Sequence, residues 1–237
     1  SEDERVTRLK EELERLLDEL RKRYEKLREE IRRVLEDLKK KYDELKEELD
    51  KMLRDLERRG KVSEEVLKVL RDVAARIEEN LRRNLRLVAE IVRKLEELMK
   101  RNLDAIRELI EDVKRLLEIA RRVKDERELK RIIEEIRKKI EKLLRESDKE
   151  VKDVDRDIKR ALEESKKTNE KLLRDIERAG IDEELLRELE RVSREDERLV
   201  KEAADELRRI LDTDRKLLKE VVDTLERVLR RILKETR

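Results

Sequence analysis

Two aspartates, Asp196 and Asp214, stand where the surrounding pattern calls for an apolar side chain. A pair of inward carboxylates is the usual equipment for general acid–base hydrolysis or for holding a hard cation. Asn84 and Asn102, Ser147 and Ser165, and Tyr24 and Tyr42 break the apolar pattern in the same way, and the members of every pair are 18 residues apart. That spacing decides against acid–base chemistry. Five helical turns separate the two acids by about 27 Å, whereas cooperating carboxylates stand within roughly 5–10 Å of each other. A single carboxylate beside an amide and a hydroxyl is a poor calcium site, because calcium prefers several carboxylate oxygens. The chain has no His and no Cys, which removes the Glu-x-x-His di-iron pattern, thiolate nucleophiles and zinc-finger spacings. No catalytic residue, metal ligand or cofactor is therefore expected. What these residues can do is satisfy one another: ionised Asp accepts, Tyr and Ser donate, and Asn does both.

The elements that position them follow from the same interval. Val6-TRLKEELERLLDELRKR is followed by Tyr24-EKLREEIRRVLEDLKKK and Tyr42-DELKEELDKMLRDLERR, with apolar side chains at one phase throughout. Eighteen residues are five turns of an ideal helix, so the apolar seam keeps its angle and the helix stays straight, where a heptad seam would supercoil. The frame continues through Leu70, Val88 and Ile106; Val73, Ile91 and Leu109; Ile136, Val154 and Leu172; Ile140, Ile158 and Ile176; Leu189, Leu207 and Leu225; and Val192, Ile210 and Val228.

Three breaks divide the chain. Gly60 is a left-handed C-cap, with Ser63 as the next N-cap; Lys124-Asp125 is a second break, where Asp125 with Glu128 forms a capping-box-like pair; Gly180 ends the third helix and Asp182 caps the fourth. The helices are expected at about 3–59, 64–123, 126–179 and 183–236. Each is roughly 55 to 60 residues, or about 80 to 90 Å, too long for a short loop to span. Consecutive helices must then be antiparallel. The expected fold is a single all-α domain over 1–237, an up-down-up-down four-helix bundle.

Reversal at each turn places Asn102 level with Ser147 and Asp214, and Asn84 level with Ser165 and Asp196. Tyr24 and Tyr42 each fall about one turn from a layer, within reach of a phenol. Asn80 and Asn169, joined by Ser193, add a rung to the second layer. A slipped register would bury these groups unpaired, which assigns them to structural specificity.

Composition limits the partners. Of 237 residues 57% are charged, yet 69 Lys+Arg balance 67 Asp+Glu for a net charge of +2, and periodic apolar residues argue for long helices over disorder. Neither a basic field nor aromatic platforms are present for nucleic acid, and Lys39-Lys40-Lys41 suits a solvated helix face. Apolar runs are too short for a membrane span or a signal-peptide core. A soluble monomer without a small-molecule substrate or targeting signal is expected; its compartment is left open. The apolar arc of helix two is widened by Leu67, Leu85, Leu87 and Leu103, and that of helix four by Leu186, Leu211, Val222 and Leu229. Packing of helices two and four across a short diagonal accounts for this. The alternative is an open strip on helix two that takes a second copy or a helical peptide.

Taken together, the repeat, the Asp/Ser-capped loops with Gly, the Leu/Ile/Val core, the Glu/Lys/Arg surface and the Asn-Ser-Asp-Tyr layers make the whole chain resemble de novo designed, parametrically generated helical bundles with buried hydrogen-bond networks. The resemblance implies a stable scaffold or building block without evolved activity.

Overall fold

The computed structural model describes residues 1–60 and 62–235, and every regular element among them is a helix. α1 spans Glu2–Arg59, α2 Glu64–Arg122, α3 Glu126–Arg178 and α4 Glu183–Glu235. The fold is all-α, a four-helix bundle. These bounds depart from the expected ones by a residue at a time, and Thr236, the expected end of the fourth helix, lies outside the described residues.

Local chemistry explains where the helices stop. Gly60 and Gly180 follow α1 and α3 with φ of 57° and 67°, the left-handed region where a side chain is strained and glycine is not. A Cβ at either position would meet nothing within 4 Å, so backbone strain is the whole cost of adding one. Gly60→Ala and Gly180→Ala should each lower stability by about 1–2 kcal/mol, seen as a lower denaturant midpoint at unchanged slope. At the opposite ends, Ser63 Oγ accepts from the Val66 amide at 3.3 Å and Asp125 Oδ1 from the Arg127 amide at 3.1 Å. Each satisfies one of the amides that a helix start leaves without a partner. Asp182 also stands at the N-cap, its main-chain carbonyl accepting from Leu186 at 2.9 Å as those of Ser63 and Asp125 accept from Leu67 and Leu129, but without a side-chain bond to the turn. The acidic first turn of Glu183 and Glu184 complements the dipole there instead of a side-chain cap.

The described residues group into two compact units. The first comprises residues 1–30, 94–153 and those from Arg209 on; the second comprises 31–93 and 154–208. Each takes a stretch of all four helices. In the first unit Lys114 pairs with Glu14 at 3.3 Å and Lys10 with Glu118, Lys139 with Asp112 at 2.8 Å and Arg101 with Glu150, and Arg137 with Glu226 and Arg215 with Asp148 at 3.4 and 3.7 Å. As the residue number rises along one helix, its partner's falls. Arg23 with Glu220 and Arg231 with Glu12 close the circuit from α4 to α1 in the same sense. The second unit repeats the arrangement through Arg71–Glu57, Arg76–Asp175, Arg83–Glu164, Arg208–Asp155, Lys41–Glu202 and Arg191–Glu48. Neighbouring helices in each unit are antiparallel. Such exposed pairs contribute about 0–1 kcal/mol each, so burial carries the stability and the pairs favour one register.

The buried set matches the seam. Leu70, Val88 and Ile106 on α2, Ile140, Ile158 and Ile176 on α3, and Leu189, Leu207 and Leu225 on α4 are all buried, which gives each about 1.5–3 kcal/mol relative to exposure. α2 and α4 are close enough for Asn102 to bond Asp214 in the first unit and Asn84 to bond Asp196 in the second. This diagonal is bridged in both units. Leu67, Leu85, Leu87 and Leu103 are half-buried, while Leu211, Val222 and Leu229 are buried. The flank of α4 is thus largely buried, whereas the flank of α2 stays half-exposed.

Candidate functional site

In the second unit the polar residues close on one another. Tyr42 Oη donates to Asp196 Oδ1 at 2.5 Å, and Asn84 Nδ2 lies 3.0 and 3.2 Å from the two carboxylate oxygens. The same amide reaches Ser165 Oγ at 3.5 Å. All four side chains are buried. α1, α2, α3 and α4 each supply one member, because apolar neighbours on each seam press that position inward.

The additional rung forms differently from expectation. Asn169 Nδ2 donates to the main-chain carbonyl of Ser193 at 3.3 Å, which leaves the Ser193 hydroxyl buried without a partner. Asn80 is half-buried and makes no hydrogen bond to a described residue. Its place at the edge of the arc explains this: a half-buried amide is open to solvent and has no need of an inward partner.

The first unit holds the same residue types in an open arrangement. Asn102 Nδ2 donates to Ser147 Oγ and to Asp214 Oδ2, both at 3.3 Å. Tyr24 Oη and Asp214 Oδ1 are buried and neither has a hydrogen-bond partner. The Tyr42–Asp196–Asn84–Ser165 set is closed, whereas its counterpart in the first unit lacks the Tyr–Asp bond.

Burial shapes the electrostatics of both. It pushes the Asp214 carboxyl up to about 6, opposed by the Tyr24 hydroxyl, which lies near the carboxyl without hydrogen-bond geometry, and by the Asn102 donor, and aided by the Glu150 charge. Burial also raises Asp196, opposed by the donors of Tyr42, Asn84 and Asn169. Both phenols are held above their ordinary range, by burial first and then by the adjacent aspartate charge. Neither tyrosine ionises near neutral pH. They serve as donors or as neutral hydroxyls.

The contrast has a direct readout. Tyr42→Phe removes a buried bond to a carboxylate and should cost about 1.5–3 kcal/mol, whereas Tyr24→Phe removes a hydroxyl that has no partner and should be neutral or stabilising by about 1 kcal/mol. Chemical denaturation of the two variants side by side checks this. Equal losses would mean that the two hydroxyls are equally bonded in solution.

Each unit thus offers one buried carboxyl with amide and hydroxyl neighbours. Among the described residues no group of three or more acidic side chains is arranged to hold a metal ion, and no helix is long and apolar enough to cross a membrane. A groove also lies in the first unit beside Ser147. The stretches 144–151 and 212–219 that line it together carry no net charge, so charge along the sequence does not mark it. Fold and site together define a four-helix bundle with a buried polar layer in each of its two units. Comparison with protein-family models, curated proteins and solved structures finds no match.

Proposed function

We propose that the protein is a structural scaffold or building block of the designed, parametrically generated kind, in which an 18-residue repeat builds the frame and the polar layers select register. It performs no catalysis, uses no cofactor, and works as a monomer without nucleic-acid partners. The observation that carries this reading is the closed set Tyr42–Asp196–Asn84–Ser165. Its members bond one another, and a buried polar set of this type gives little net stability over apolar packing but penalises every register that leaves a member unpaired. The two turns with Gly60 and Gly180 hold the repeat against a slip by one full period.

Replacing Asn84, Ser165 and Asp196 together with apolar residues of similar volume, and Tyr42 with Phe so that no buried donor is left unpaired, tests the reading. The quadruple variant should stay folded with an equal or higher melting temperature, yet exchange its core amides faster and give broader resonances as alternative packings become populated. Native-like exchange protection and line widths in the quadruple variant would sink the assignment.

A further inference from the structure

We propose that the groove between α3 and α4 in the first unit binds a medium-chain alkyl carboxylate, its chain against an apolar floor and its head group among three cations. This goes beyond the scaffold reading and does not depend on it. The groove has a volume of about 790 Å³, within the usual range for small-molecule sites. Its floor is Leu144, Val151 and Leu218. Leu144 is 38% exposed and is one of two large apolar side chains so open among the described residues. From Leu144 to Val151 the floor runs about 10 Å at 1.5 Å per residue, close to the length of an extended ten-carbon chain.

Charge selects the head group. Arg145, Lys216 and Lys219 line the groove, and none of the three forms an ion pair with a described residue. Arg215, also on the rim, is paired with Asp148 at 3.7 Å, and Asp212 is the remaining acid. The excess is positive. In the second unit, the positions that correspond by the 18-residue repeat distribute the same formal charge differently: Glu163 replaces Arg145, Lys166 replaces Asp148, Glu197 replaces Arg215 and Arg194 replaces Asp212. There Arg194 pairs with Glu190, and Arg198 with Glu195 and Glu202. Leu162, the counterpart of Leu144, is half-buried. The groove thus differs from its counterpart in the exposure of its floor and in which side chains carry the charge. An apolar floor beside uncompensated cations fits a molecule with an alkyl chain and one negative end, and a short single chain fits the floor better than a lipid surface does.

Titration calorimetry with sodium decanoate near neutral pH tests this on the whole protein, with decylammonium and phosphatidylglycerol vesicles as comparison arms. The expected result is one saturable decanoate site per chain, about tenfold weaker in R145Q/K216Q/K219Q as three exposed charge contacts are lost, and no saturable binding of decylammonium. All three substitutions are at exposed helix positions, and circular dichroism checks that the variant is folded. Methyl-resolved NMR supplies a second measurement: decanoate should shift Leu144, Val151 and Leu218 first. The proposal is overturned by absent binding at millimolar decanoate, by undiminished affinity in the folded triple variant, or by equal binding of decylammonium. Methyl shifts centred elsewhere, or binding to the vesicles alone, would overturn it too.

Discussion

Asp196→Leu should lower the stability of the protein by about 2–4 kcal/mol. The carboxylate receives Tyr42 Oη at 2.5 Å and Asn84 Nδ2 at 3.0 and 3.2 Å, and leucine can accept from neither. Each buried donor left without a partner costs about 1–3 kcal/mol. The Asn84 amide retains only a 3.5 Å approach to Ser165, too long to compensate. Two effects act in the opposite direction: the desolvation that raises the Asp196 carboxyl disappears, and leucine adds apolar packing of similar volume. They reduce the loss without cancelling it. Asp214→Leu should cost less, because Tyr24 Oη has no partner to lose and Asp214 Oδ1 accepts nothing; only the Asn102 bond at 3.3 Å is broken. Guanidinium denaturation of both variants provides the measurement. If Asp214→Leu proved as costly as Asp196→Leu, the distinction between a closed and an open layer would be wrong.

The second large effect concerns pH. Asp214 is raised from 3.8 to about 6 in the folded protein. Between these values the unfolded chain loses the proton while the folded one keeps it, so the unfolded state binds fewer protons and stability falls as pH rises. The contribution is fully present below pH about 4 and is lost once pH passes about 6. A difference of two pKa units corresponds to about 3 kcal/mol. Other carboxylates titrate in the same window: Asp196 with the same sign, and Glu118, Asp175 and Glu195, held low by Lys10, Arg76 and Arg198, with the opposite one. Asp214→Asn isolates the effect, since it keeps the shape and removes the titration. The stability of the native protein relative to Asp214→Asn should fall by about 2 kcal/mol between pH 4 and pH 7. A difference independent of pH would mean that the carboxyl is not desolvated as its complete burial implies.

Much of this was legible from residue spacing, and the reasons are specific. The burial of Leu70, Val88 and Ile106 follows from a five-turn interval, because an ideal helix returns each to one face. The meeting of Asn84, Ser165 and Asp196 follows from turn positions, because unbroken helices transmit register without error over many turns. What spacing could not convey is finer than one residue. Tyr24 and Tyr42 occupy equivalent places in the repeat, yet only Tyr42 bonds its aspartate. A helix rises 1.5 Å per residue, whereas a hydrogen bond tolerates only about 0.5 Å. Asn80 and Asn169 were level by number, but level residues at the edge and the centre of an arc face different surroundings. The division into two units leaves no trace in composition, since the seam continues through residues 30 and 31 without a turn.

The antiparallel pairing has a consequence for size. Asn102 and Ser147 meet across 45 residues of chain, and Asn84 and Ser165 across 81. Closure entropy grows with the logarithm of the intervening length, so the longer excursion is dearer by only about 0.5 kcal/mol. Inserting one further five-turn segment in both α2 and α3 on the far side of Asn84 and Ser165 would add about 0.3 kcal/mol. Topology thus sets almost no ceiling on length. The architecture is modular, and the limit on growth is how well each inserted segment buries its own share of the seam.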